Sequence, residues 1–206
     1  MGARGDKATA SLVGDVPRGV LLRERRIFLG GAGGMVGPRE VGFGAVTGAG
    51  QVVRKDVPED RLMVQPPRAV DIAYAPDQLD AAEPRARRQV RYIAQLHALL
   101  AWYRQVRLAR VPGSREDVRA VLAAAIETLT LCVAEREKRL KAFLKERGEV
   151  MPELVAPELA CPLAIAAEEP YVDHVAWVRG LGAEDATRCV EWLRAIEAAV
   201  LAAWPA

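Results

Sequence analysis

Histidine is nearly absent from this 206-residue chain, which has only His97 and His174. Cysteine is also scarce. Cys132, Cys161 and Cys189 lie far apart with no CxxC pairing, so there is no clustered ligand set for zinc or another soft metal. An odd count also argues against a closed disulfide framework. Apolar runs are short and interrupted, whereas a membrane-spanning helix needs about 20 consecutive apolar residues. The opening MGARGDKATA has no apolar stretch of the kind a signal peptide requires, so a cytoplasmic location is expected. No GxGxxG or GxxxxGK[ST] pattern can be completed, which removes the common phosphate-cradling glycine loops.

Charge is plentiful but unevenly placed. Residues 80–147 hold fifteen Lys/Arg against eight Asp/Glu, and residues 149–206 hold three against ten, although the whole chain carries a formal charge of only +2. Two halves of opposite sign can attract each other across an internal interface. With few aromatics beside the basic stretch and an acidic segment following it, no nucleic-acid partner is expected, and no membrane partner either.

Glycine is concentrated in Leu29 to Val57, LGGAGGMVGPREVGFGAVTGAGQVVRKDV. Within it Leu29, Met35, Val41, Thr47 and Val53 recur every six residues, a step that is neither the two of a strand nor the 3.6 of a helix. A six-residue step predicts a left-handed parallel β-helix with one side chain per face pointing inward. Gly44, Ala45, Gly48, Ala49 and Gly50 then supply small residues for its corners. Few such coils fit here, so the chain reads as the C-terminal piece of a longer protein.

The run Ile27 to Asp60, and GAGQVVRKDV from Gly48 to Val57 above all, resembles the closing coils of the hexapeptide-repeat domain in the bifunctional N-acetylglucosamine-1-phosphate uridyltransferase / glucosamine-1-phosphate acetyltransferase family. The resemblance covers about 60 residues. It implies a transferase-like protein related to sugar nucleotidyltransferases and acyltransferases, assembled as a trimer of prisms or docked on a missing N-terminal domain. It also implies acyl-CoA lying along the edge at Gly48 and Ala49; beside them the cationic Arg54 and Lys55 are candidates to meet a nucleotide phosphate. The chain departs from the family where chemistry is concerned. No histidine precedes His97 to act as general base, the family's Asn-Tyr pair is missing, Gly31 stands where a serine is expected, and Pro66 stands where a basic residue is expected. The expectation is therefore a transferase-related piece that is not catalytic on its own; the alternative is a non-catalytic oligomerisation or scaffold module.

The rest of the chain reads as helix. Residues 15–26 break the six-residue phase and are expected to form a projecting loop, with Arg18, Arg23, Arg25 and Arg26 open to a phosphate or carboxylate. Residues 66–81, opening on Pro66-Pro67, are expected to be a linker. Helices are predicted from Pro84 to Arg110, with Tyr92, Leu96, Leu99, Tyr103 and Val106 inward; from a Ser114 cap to a stop at Gly148; from Tyr171 to Arg179; and from Ala183 to Trp204. Pro152, Pro157, Pro162 and Pro170 keep the intervening segment irregular. The predicted architecture is thus β-helical coils over 1–65, a linker over 66–81, and a four-helix appendage over 82–206.

Overall fold

The structure, a computed structural model, describes residues 16–21, 23, 25, 27–37, 39–65 and 82–204. Residues 1–15 of the expected coils and the expected linker at 66–81 lie outside the described residues. The chain divides into one unit of residues 1–14 and 24–85 and another of residues 15–23 and 86–206.

In the first unit the strands are only two residues long. Strand β1 (Gly34–Met35) pairs in parallel with β3 (Val52–Val53), and β2 (Val46–Thr47) pairs in parallel with β4 (Leu62–Met63), as two separate two-stranded sheets. Single parallel bridges join Phe28 to Val46 and Val41 to Val57. The expected left-handed β-helix is therefore corrected: the protein is mainly α, with two small parallel sheets. Two findings explain the misreading. Gly34 aligns with Val52, eighteen residues on, but Val46 aligns with Leu62, only sixteen on, so no single period holds. Of the six-residue series, Leu29 and Met35 are exposed at 38% and 37%, while Val41, Thr47 and Val53 are buried. The small core is Ile27, Val41, Ala45, Val53 and Val57, with Phe43 and Met63 packed against it. The backbone passes come close enough to require glycine: a Cβ on Gly30 would stand 2.3 Å from the Gly48 carbonyl oxygen. The Gly30 amide donates instead to Thr47 Oγ1 at 3.0 Å, satisfying a buried hydroxyl.

The second unit is helical. Helix α1 (Val16–Leu21) replaces the loop expected over 15–26, and its Val20 and Leu21 enter a core with Trp102, Val178, Cys189, Trp192, Leu193 and Ile196. Pro17 in the first turn leaves no intrahelical donor missing. Of the expected free arginines, Arg23 donates to the Leu181 carbonyl at 2.8 Å and Arg25 is bonded to Asp60. The side chains of Arg18 and Arg26 lie outside the described residues.

Helix α2 (Ala82–Trp102) runs straight into a π-helical turn, Tyr103–Leu108. Its buried stripe includes Val90, Ile93, Leu96, Leu100 and Trp102. Tyr92, expected inward, is exposed beneath the Arg136 guanidinium, 5.2 Å from the ring centre. Helix α3 (Glu116–Lys145) turns Leu122, Val133, Leu140 and Leu144 inward. Its N-cap is Arg115, with no side-chain cap, because the Ser114 hydroxyl bonds to Glu169 instead. Gly148, at φ +75°, ends the run, and the Glu149 amide reaches back to the Leu144 carbonyl at 3.0 Å.

A strap without helix or strand follows, held by Gln105. That side chain donates to the Leu159 carbonyl at 2.9 Å and accepts from the Cys161 amide at 2.8 Å, while Trp192 Nε1 donates to the same Leu159 carbonyl at 3.0 Å. Helix α4 (His174–Gly180) starts at Asp173, whose carboxylate accepts from the Val175 and Ala176 amides. Helix α5 (Ala183–Ala202) buries Cys189, Trp192, Leu193, Ile196 and Val200. Val200 belongs to a second core with Val90, Ile93, Leu96, Val133, Leu140 and Leu144.

Candidate functional site

Two places in the helical unit go beyond ordinary packing. The first is the outer face of α3. Residues 120–134, AVLAAAIETLTLCVA, carry a single charged side chain, Glu127. A helix that packs on one side normally presents charge on the other. Here Val121 and Leu131 are exposed at 68% and 64%, with exposed Ala124 and Thr128 between them. The spacing of three, four and three residues places these four side chains in one row. Thr128 and Thr130 spend their hydroxyls on the Ala124 and Ile126 carbonyls of their own helix, so the row offers little polarity.

The second place is buried, where the π-helical turn meets the end of the strap. Trp102, His174 and Trp177 form an aromatic nest: the Trp102 and His174 ring centres are 5.8 Å apart edge to face, and His174 lies nearly parallel to Trp177 at 6.2 Å. Trp102 Nε1 donates to His174 Nε2 at 3.4 Å. The Arg110 guanidinium lies 4.2 Å over the Trp177 ring and 5.9 Å from that of Tyr171. Its side chain is 1% exposed, and Nη2 donates to Glu168 Oε2 at 2.9 Å and to the Val172 carbonyl at 3.2 Å. Arg107 Nη1 donates to the Tyr103 hydroxyl at 2.8 Å. Burial first, and then the positive charges of Arg107 and Arg110, push His174 down to about 4, so it is neutral at physiological pH. Nothing in the sequence marked this cluster beyond Tyr103, Arg107 and Arg110 sharing a helical face, and π-turns in α-helices are frequent at functional sites.

The residues expected to hold acyl-CoA lie in the other unit. The Gly48 amide donates to the Met63 carbonyl at 2.9 Å and the Gly50 amide to Gly31 at 2.9 Å, so neither donor is open to a ligand. Ala49 is exposed in the turn that follows β2, and Arg54 and Lys55 are exposed just after β3. Among the histidines, His97 sits on α2 with Nε2 3.7 Å from Glu137 Oε1, too long for a hydrogen bond, and burial lowers its pKa. Cys161 and Cys189 are neighbours: interaction with the Cys189 thiol lowers Cys161 to about 7, and the same interaction with burial raises Cys189. Cys132 is exposed on α3. Among the described residues no three His, Cys, Asp or Glu side chains come together as a metal site, and no helix is long and apolar enough to cross a membrane.

Compared with protein-family models, with curated proteins and with solved structures, the chain matches none. The expected membership of the hexapeptide-repeat family is therefore corrected on two grounds, the absence of a matching family model and the mainly helical fold.

Proposed function

We propose that this protein is a non-catalytic assembly module whose helical unit self-associates through the outer face of α3. The observation that carries this is the exposed row Val121, Ala124, Thr128 and Leu131 within fifteen residues that bear one charge. The partner is a second copy in antiparallel orientation. With both signs counted, residues 115–119 of α3 sum to zero and residues 135–146 to +2, so antiparallel docking keeps the two positive ends apart. Parallel docking aligns like with like. Opposed helix dipoles favour the same choice. Small residues at Ala120, Ala123 and Ala124 let the two backbones come close.

Magnitudes predict a weak pair. Four large side chains, two Val121 and two Leu131, contribute about 2 kcal/mol each on burial. Against this stands a loss of at least about 4 kcal/mol in overall motion, so the net is at most about 4 kcal/mol and dissociation falls near a millimolar, the concentration the test must reach. The trimer expected earlier depended on β-helical prisms, and here the contact moves to a helix face. This reading gives Gly48, Ala49, Arg54 and Lys55 no part in a reaction.

Sedimentation of the full chain over about two decades of concentration tests the proposal. The expected result is an average mass rising from the 22.4 kDa of one chain toward twice that value. Leu131→Glu is expected to stay monomeric at every concentration with an unchanged helical circular dichroism signal. A wild-type chain that stays monomeric throughout, or a variant that associates as well as wild type, overturns it.

A further inference from the structure

Around the π-helical turn the buried side-chain atoms without a hydrogen-bond partner are Arg107 Nε, Arg110 Nε and Nη1, and His174 Nδ1. All four can donate. Because His174 Nε2 accepts from Trp102, the proton of the neutral ring belongs on Nδ1. What the cluster lacks is an acceptor. The nearby carboxylates do not supply enough of them: Asp173 is committed to the α4 amides, Glu169 is bonded to Ser114, and Glu168 reaches only Nη2 of Arg110. Buried donors left unmade are costly, and such groups are met by water, an ion or a ligand.

We propose that Arg107, Arg110 and His174 form a binding site for a small oxyanion, which enters by displacing Glu168 from Arg110. The Trp177 and Tyr171 rings fix the plane of the Arg110 guanidinium, so its fork is set for two-point recognition of a carboxylate or phosphate before any ligand arrives. Glu168 is suited to be the group displaced. Its side chain is 40% exposed while that of Arg110 is 1% exposed, and it makes one contact where an oxyanion would make two or more. The Arg107 Nε and His174 Nδ1 donors then take the remaining oxygens. The Trp102 and Trp177 indoles beside the site report its occupancy.

The test is a titration of the full chain with inorganic phosphate, sulfate and acetate at constant ionic strength, read by tryptophan fluorescence and by the thermal midpoint. The expected result is a saturable change with at least one of the three. Phosphate and sulfate acting together indicate a tetrahedral ligand, and acetate alone indicates a carboxylate. Arg110→Met is expected to abolish the response. Because that variant leaves a hole in the core, Glu168→Ala provides the second arm: removing the competing carboxylate is expected to tighten binding about tenfold. No saturable response to any of the three anions, or a Glu168→Ala chain that binds no tighter than wild type, overturns the site and leaves internal water as the occupant.

Discussion

In the unit of residues 24–85, five buried side chains are brought together by backbone drawn close to backbone: the Phe28 amide on the Ala45 carbonyl, Gly42 on Val57, Val46 on Arg61. In the helical unit the main chain satisfies itself within each helix, and side-chain volume joins the elements, with Trp102 and Trp192 in one cluster and Ile93 and Leu144 in another. The contrast shows where each unit is fragile. The first tolerates little extra bulk on its glycines and the second tolerates no missing bulk in its core.

The largest effect is expected from removing bulk. Trp102→Ala takes out a side chain 1% exposed and leaves His174 Nε2 without its donor. The expected loss is about 3–5 kcal/mol in the helical unit. Urea unfolding followed by circular dichroism measures it, and a loss below about 1 kcal/mol shows that the aromatic nest is not structural.

Next comes acid. His174 holds its proton far less readily when folded, about 4 against the ordinary 6.5, so the unfolded chain takes up a proton first as pH falls. Stability from this residue is whole above 6.5, declines between 6.5 and about 4, and is level below, for a total of about 3 kcal/mol. Burial moves His97 in the same direction. The difference between wild type and His174→Gln across that range isolates the effect from the carboxylates, and parallel curves for the two proteins would refute it.

Adding bulk is expected to cost least, and only in the other unit. Gly30→Ala drives a Cβ against the Gly48 carbonyl, whereas a Cβ on Gly31 meets nothing within 4 Å. The first is expected to cost about 2 kcal/mol and the second almost nothing. Faster amide exchange at Val46 and Val53, with the helices unchanged, is the signature. Equal behaviour of the two variants would remove the distinction between the units.

The helices α2, α3 and α5 were legible because their apolar residues keep a 3.6-residue beat over five turns or more, and the strap was legible from its prolines. Helix α1 was not: six residues containing Pro17 and Gly19 have no periodicity to read, and tertiary contacts of Val20 and Leu21 hold them helical. The six-residue phase was overread, since two of its five members face outward. The buried arginine cluster was hidden by a sound rule applied too widely. Arginines on a basic helix usually face water, and only the folded position of Trp177 and Glu168 shows that Arg110 does not.

Helix α1 belongs to the helical unit although residues 24–85 separate it from the rest, and it packs on α4 and α5. During synthesis this has a consequence in time. At about 5–20 residues per second, Val20 and Leu21 emerge roughly ten to forty seconds before the α5 residues that cover them. The described core of the small unit is complete soon after Met63 has been made and can close in that interval, whereas helix α1 waits for α5 to leave the ribosome before it finds its place.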